Sequence, residues 1–228
     1  MKSNPKEVIE HKLLILRCLS DDDITIRSRA LELLTGMVSK RNLQELISQL
    51  MTHVDRAEGE YMNELIQQIV FICSRDKYEY LNDFKWYVTI LVSLSKIHGT
   101  TYGKLIAEEI INVGMRVLPI RDFVVNEMSE LVLNSDVCMG RSENTVIEVL
   151  HAAAFIVGEF ALSCAPASHS PLIATLISPQ SLTLPPRTQS VYIQSAFKVF
   201  ATACGASSPA LDEILSCITS NLTRWRER

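Results

Sequence analysis

Glu159 is the residue whose type and surroundings most suggest chemistry, because it interrupts the apolar run AAAFIVGEFAL at residues 152–162. A carboxylate in apolar surroundings can act as a general acid or base, since burial raises its pKa towards neutrality. It can also line a pore in a membrane, or anchor a packed stack of helices. The neighbouring Gly158 favours the structural role, because glycine lets another backbone approach closely.

The other candidates for chemistry do not form a recognisable site. The histidines are scattered, and none has a second His or Cys at a metal-ligand spacing: His11, His53, His98, His151 and His169. No phosphate-binding glycine loop and no G-x-S-x-G elbow occurs in the sequence. The acidic run at residues 21–23, centred on Asp22, indicates capping of the following helix. We predict no enzymatic activity, no cofactor, and no catalytic, cofactor-binding or metal-binding residue.

The composition is that of a soluble globular chain of 228 residues, 47% hydrophobic and 21% charged. Its net charge of −4 argues against nucleic acid as a partner, because such binding needs clustered Lys and Arg. The longest apolar run, residues 149–164, is shorter than the ~20 residues of a membrane-spanning helix. Six cysteines lie apart in apolar stretches, as reduced core residues of a cytosolic protein do.

A helical period dominates the whole chain. The predicted helices cover residues 5–19, 22–38, 42–56, 60–75, 84–98, 101–117, 120–134, 143–164, 170–178, 188–204 and 209–225. They form pairs whose first helices recur about every 40 residues, a spacing typical of helical-hairpin repeats. The fold class is therefore all-α: one α-solenoid of HEAT/armadillo-like hairpins, about five to six pairs, spanning residues 1–228 as a single domain.

The best single repeat is the first, CLSDDDITIRSRALELL at residues 18–34, which resembles a HEAT repeat. Its aspartates precede the second helix of the pair, and Arg27 follows at a spacing from which it can reach adjacent loops or acidic groups. LPIRDFVV at residues 118–125 is a weaker echo of the same pattern.

Several blocks resemble the trunk of adaptin large subunits. LSDDDITIRSRALELLTGMVSKRNLQELISQL matches the adaptin succession of an acidic turn, I-R-x-R-A-L-x-L-L and a short linker. AAAFIVGEF resembles the adaptin pattern W-I-x-G-E-[YF], with Phe155 in place of the usual tryptophan. Longer blocks resemble one particular type of adaptin large subunit, such as GMVSKRNLQELISQLMTHVDRAEGEY at residues 36–61 and HGTTYGKLIAEEI at residues 98–110. The resemblance covers nearly the whole chain and weakens across residues 135–145 and 164–187.

The resemblance implies a non-enzymatic scaffold of a vesicle-coat adaptor complex that sorts cargo from Golgi or endosomes to lysosome-related organelles. Implied partners are the other subunits of such a complex: beta-type large, medium and small. It also implies a cytoplasmic protein associated peripherally with Golgi and endosomal membranes and coated vesicles through the assembled complex. The expected parent is longer, with further trunk, a hinge and an appendage. No partner-binding residue is assigned by the resemblance.

Two alternatives remain open from the residues alone. The chain can be a generic HEAT-repeat protein-binding module, such as a transport receptor, which shares the architecture but not the specific blocks. The aromatic stretch KYEYLNDFKWY at residues 77–87 has lysines between its rings, as single-stranded nucleic-acid binders do. Closure of a long loop onto a helical core explains the same composition better.

The helical wheel assigns structural roles around Glu159. Ala154, Gly158, Ala161 and Ala165 form a stripe of small residues that permits close approach of another helix. Apolar residues all round predict that this helix is central, so a buried Glu159 needs a partner. Lys198 in SAFKVF is the first choice of partner and Arg187 the second.

Overall fold

The computed structural model describes residues 5–97, 99–134 and 145–205, together with positions 216 and 219, and these residues form helices and loops without a β-strand. Ten α-helices lie in this part of the chain: α1 Pro5–Cys18, α2 Ile24–Gly36, α3 Leu43–Val54, α4 Gly59–Tyr78, α5 Phe84–Ser95, α6 Gly103–Arg116, α7 Arg121–Leu133, α8 Thr145–Glu159, α9 His169–Leu176 and α10 Pro186–Gly205. Short 3₁₀ helices occupy Leu118–Ile120, Ala161–Ser163, Pro166–Ser168 and Pro179–Thr183. The predicted all-α class is confirmed.

The described helices follow one another as five pairs. In every pair the two members pack directly on each other: α1 with α2, α3 with α4, α5 with α6, α7 with α8, and α9 with α10. The first helices of the pairs begin at residues 5, 43, 84, 121 and 169, within one residue of the predicted starts. Of the further helix predicted over residues 209–225, only positions 216 and 219 are described, and both are helical.

The chain divides into two compact units, Met1–Asp83 and Phe84–Arg228. In the first unit, α4 packs against both α2 and α3. Its core is a set of leucines and isoleucines that are at most 1% exposed, including Leu31, Leu34, Leu46, Ile47, Leu50, Leu65, Ile66 and Ile69. The prediction of one continuous domain over residues 1–228 stays a prediction.

In the second unit, α8 is the central helix. It packs against α6 on one side, α10 on the other, and its own partner α7. Between residues 147 and 159 every side chain is buried except those of Ile147, Glu148, His151, Phe155 and Glu159, which lie along one edge. This helix therefore contributes apolar residues to three interfaces and keeps only a narrow strip open to solvent.

α8 ends at Glu159, whereas the sequence predicted a helix to residue 164. Phe160 lies in a turn, Ala161 belongs to a 3₁₀ helix, and Ala165 is extended with φ −60° and ψ 134°. Pro166 explains the extended Ala165, because proline disfavours helical geometry in the residue before it. The predicted stripe of small residues is wrong beyond Gly158, since Ala161 and Ala165 are not on the helix.

The end of α4 is also irregular. Arg75 is extended, with φ −56° and ψ 142°, and the next three residues are left-handed: Asp76, Lys77 and Tyr78, with φ values of 51°, 59° and 65°. Left-handed geometry costs an L-residue about 1–2 kcal/mol, and three in succession are unusual outside glycine. The predicted end of this helix at residue 75 coincides with the change of hand.

Candidate functional site

Gly158 marks the closest approach between α8 and α10. A methyl group added at Gly158 would lie 2.5 Å from Ser195 Oγ and 2.7 Å from Ser195 Cα. Real side chains do not approach a backbone this closely, so residue 158 has to be glycine for the two helices to keep their distance. Ser195 is only 3% exposed, which places this crossing inside the second unit.

The next residue, Glu159, contacts the same neighbouring helix. Lys198 Nζ donates a hydrogen bond to Glu159 Oε2, so the structure brings together the two residues that the sequence paired, and Lys198 rather than Arg187 makes the contact. The side chains of Glu159 and Lys198 are 38% and 47% exposed. The expectation of a buried carboxylate is therefore wrong: α8 is central, but Glu159 lies on its open edge.

This exposure limits what the ion pair contributes. Solvent-exposed pairs between Lys and Glu typically stabilise a protein by about 0–1 kcal/mol, because water already solvates both charges. The pair connects the last residue of α8 to α10, one residue after the crossing at Gly158. That Gly158, Glu159 and Lys198 stabilise the fold remains a prediction.

Phe160 links α8 to a third element. The guanidinium carbon of Arg121 lies 4.2 Å from the centre of the Phe160 ring, which is the geometry of a cation–π interaction. Arg121 Nη2 also donates to the carbonyl oxygen of Met115 at 3.2 Å. One arginine at the start of α7 therefore fastens the end of α6 to the end of α8.

The first unit contains the same arrangement around Arg27. Its Nη1 donates to the carbonyl oxygen of Asp21 at 2.9 Å, and its guanidinium carbon lies 4.7 Å from the centre of the Tyr61 ring. The Tyr61 hydroxyl donates in turn to the carbonyl oxygen of Leu19 at 3.2 Å. Arg27 thus joins the turn between α1 and α2 to the start of α4, which is the reach that the sequence predicted.

The sequence indicated Arg27 but missed the aromatic half of the arrangement. In both units the arginine bonds to a carbonyl six residues earlier and lies over a ring from another part of the chain: Tyr61 of α4 for Arg27, and Phe160, directly after α8, for Arg121. We call each of these an arginine clamp. The similarity between residues 18–34 and LPIRDFVV at residues 118–125 could have indicated that Arg121 corresponds to Arg27. It does not indicate which aromatic ring each arginine contacts.

Asp23, rather than Asp22, caps α2. Its carboxylate accepts hydrogen bonds from Thr25 N at 2.8 Å and from Thr25 Oγ1 at 2.7 Å. Asp21 accepts one from Asp23 N at 3.0 Å. The side chain of Asp22 is exposed, and its backbone oxygen lies 3.5 Å from Arg27 Nη1. The predicted acidic cap is present, and within the run it is supplied by Asp23, the residue directly before the first helical turn. A structural role for Asp22 stays a prediction.

Thr25 also sets the protonation of that cap. Its hydroxyl and amide bonds hold the pKa of the Asp23 carboxyl below its ordinary value of 3.8.

Among the residues that the structure describes, no group of three or more His, Cys, Asp or Glu is placed to hold a metal ion. No helix in the same parts of the chain is long and apolar enough to cross a membrane.

Comparison with known proteins gives a consistent result. Residues 1–228 match the family model described as the adaptin N terminal region. The chain is 42% identical, over 93% of its length, to AP-3 complex subunit delta of Dictyostelium discoideum, and 41% identical, over 93%, to AP-3 complex subunit delta-1 of Bos taurus. It spans only 19% and 18% of these relatives.

One structure, described as a homology model of the full-length AP-3 complex in an intermediate open conformation, matches with a TM-score of 0.73. The match covers 97% of this chain and 42% of that one at 23% identity. At this identity the similarity shows the fold, an all-α solenoid.

We expect Gly158→Ala to destabilise the second unit by about 1–3 kcal/mol, because the added methyl overlaps the Ser195 backbone. Trp86 lies on α5 in that unit, so urea unfolding followed by the fluorescence of Trp86, with Trp225 replaced by Phe in every variant, reports on it. Gly205→Ala is the matched control, since a methyl there meets nothing within 4 Å. Equal midpoints for the two variants would contradict the close crossing.

We expect Arg121→Lys to destabilise the second unit by about 1–2 kcal/mol, because lysine cannot both stack on Phe160 and reach the Met115 carbonyl. The same fluorescence measurement applies. Arg187→Lys, at an exposed position of α10, should leave the midpoint unchanged. An Arg121→Lys variant with the same unfolding midpoint as the native chain would contradict the arginine clamp.

Asp23 should make the first turn of α2 sensitive to acid. A lowered pKa in the folded state means that the stabilisation is complete above the unfolded value and is lost as pH falls through the folded one, below 3.8. The protection factor of the first-turn amides, measured against intrinsic exchange at each pH, should therefore fall in that window. Asp23→Asn should remove this pH dependence, since asparagine caps without titrating, whereas Asp22→Asn should retain it.

Proposed function

The chain belongs to the adaptin family, and from that premise we propose that it is a scaffold segment of the large subunit of a vesicle-coat adaptor complex, of the AP-3 delta type. The observation that carries the proposal is the family match over residues 1–228, together with relatives that are named as delta subunits. The chain spans about a fifth of those relatives, so the role of a whole large subunit is inferred for the longer protein.

The packing supports a scaffold rather than a catalyst. Within each unit the interfaces are built from large apolar side chains, and their ends are fastened by the two arginine clamps. Stacked hairpins of this kind contact mainly their neighbours, which produces an extended surface that other subunits can follow. Polar groups in the regions that the sequence indicated bond within the chain: the Asp23 carboxylate accepts from Thr25, and Lys198 donates to Glu159.

The proposed partners are the other subunits of the adaptor complex: a beta-type large subunit, a medium subunit and a small subunit. The assembled complex would associate peripherally with Golgi and endosomal membranes and coated vesicles from the cytoplasm. Its proposed task is to sort cargo towards lysosome-related organelles, without enzymatic activity and without a nucleic-acid partner. Close sequence similarity to delta subunits supports this specific version over a generic HEAT-repeat binding module.

The test is affinity purification of the full-length large subunit that contains this segment, coexpressed with beta-type, medium and small subunits. We expect all four subunits to be recovered in one complex from the native protein and from the Gly205→Ala variant. Gly158→Ala should lower recovery of the other three, because the second unit would no longer pack correctly.

Two outcomes would contradict the proposal. One is a well-folded large subunit that recovers none of the three partners. The other is recovery of a linear peptide ligand in place of those subunits, which would favour the alternative of a generic HEAT-repeat module such as a transport receptor.

A further inference from the structure

We propose that residues 75–81 form a reversible joint: a left-handed turn, held closed by Arg75, that opens locally while the rest of α4 stays folded. The inference concerns a segment that the scaffold function does not use, and it stands independently of that function. It rests on the hand of the backbone, on the contacts of Arg75 and on the position of the turn in the chain.

The backbone of this turn is strained. Asp76, Lys77 and Tyr78 are all left-handed, and none is a glycine. In L-residues this geometry brings the β-carbon close to the following carbonyl oxygen, so it normally occurs in isolated residues. The turn is closed by two backbone hydrogen bonds, from Glu79 N to Arg75 O at 3.3 Å and from Leu81 N to Tyr78 O at 3.0 Å.

Arg75 supplies the contacts that oppose this strain. Its Nη1 donates to the carbonyl oxygen of Thr35 at 3.4 Å, its Nη2 to the Tyr80 hydroxyl at 3.0 Å, and its Nε to Asp76 Oδ2 at 3.3 Å. Its guanidinium carbon also lies 4.9 Å from the centre of the Tyr80 ring. One side chain therefore connects α2 to both sides of the left-handed turn.

These contacts are of the kind that can be released. Arg75 is 30% exposed and Asp76 58% exposed, so water competes for the bonds that close the turn. The core side chains of α4 are in contrast fully buried: Leu65, Ile66 and Ile69. Local opening therefore breaks a few hydrated bonds and relieves three left-handed residues, at the cost of exposing Leu81, which is 7% exposed in the closed turn. Leu65, Ile66 and Ile69 lie outside the turn and stay packed.

The turn also lies near the end of the first unit, which extends to Asp83. The contact with Arg75 gives a structural role to one ring of the aromatic stretch KYEYLNDFKWY, that of Tyr80.

The decisive experiment compares Lys77→Gly with Lys77→Ala by hydrogen exchange of the Glu79 and Leu81 amides. Both variants remove the exposed lysine side chain, but only glycine adopts the left-handed conformation without strain. We expect glycine to raise protection of these two amides about three- to tenfold. Alanine should leave their protection as in the native chain.

Arg75→Lys tests the closing contacts. We expect protection of the Glu79 and Leu81 amides to fall about tenfold, since lysine cannot make the forked bonds of the guanidinium. Ile66 and Ile69 in the core of α4 should keep their protection. Arg29→Lys, in an exposed pair with Glu32 on α2, is the matched control and should change none of these amides.

Two results would overturn the proposal. One is that the Glu79 and Leu81 amides of the native chain exchange no faster than those of Ile66 and Ile69, which would mean that the turn opens only by unfolding of the unit. The other is equal protection in the Lys77→Gly and Lys77→Ala variants. If Arg75→Lys also releases the α4 core, the comparison at residue 77 decides alone.

Discussion

The contact between Gly158 and Ser195 is the constraint on which the second unit depends. Two helix backbones meet there at a distance that leaves no space for a methyl group. Because α8 also packs on α6 and α7, an error at this crossing would move three interfaces together. The two residues that follow reinforce the same junction: Glu159 bonds to Lys198 of α10, and Phe160 lies under Arg121 of α7. Each residue of the motif GEF therefore contacts a different neighbour, and that these contacts stabilise the unit stays a prediction.

The arginine clamps show how a stack of hairpins acquires defined geometry. Apolar side chains supply most of the burial, but apolar contacts are not directional and tolerate sliding. A guanidinium that stacks on a ring and donates to a backbone carbonyl fixes both distance and angle. Arg27 and Arg121 occupy the first turns of α2 and α7, where they can reach the preceding turn and another helix at once. A scaffold needs this kind of definition, because the positions of its partners follow from the angles between its hairpins.

The exposure of Glu159 shows where reasoning from an apolar run is misleading. The run from Val149 to Val157 correctly indicates a helix with neighbours on several sides. A helix can nevertheless be central and keep one edge in solvent, and residues spaced along that edge, such as Glu148, Phe155 and Glu159, share it. Glu159, which the apolar run predicted to be buried, is the last residue on the solvent-exposed edge of α8.

Longer blocks of the sequence indicated the adaptin family through their resemblance to known members. Local patterns in the sequence determined the all-α class and the starts of the five described pairs, because helical period, caps and prolines act over only a few residues. They also indicated Gly158, Arg27 and the Glu159–Lys198 contact. Only the tertiary structure decided that Asp23 is the cap, that Gly158 meets Ser195, and that Phe160 lies under Arg121. The last two join residues about 40 positions apart, and such distances depend on how helices pack. The left-handed turn after Arg75 was likewise decided by contacts, since no glycine marks it in the sequence.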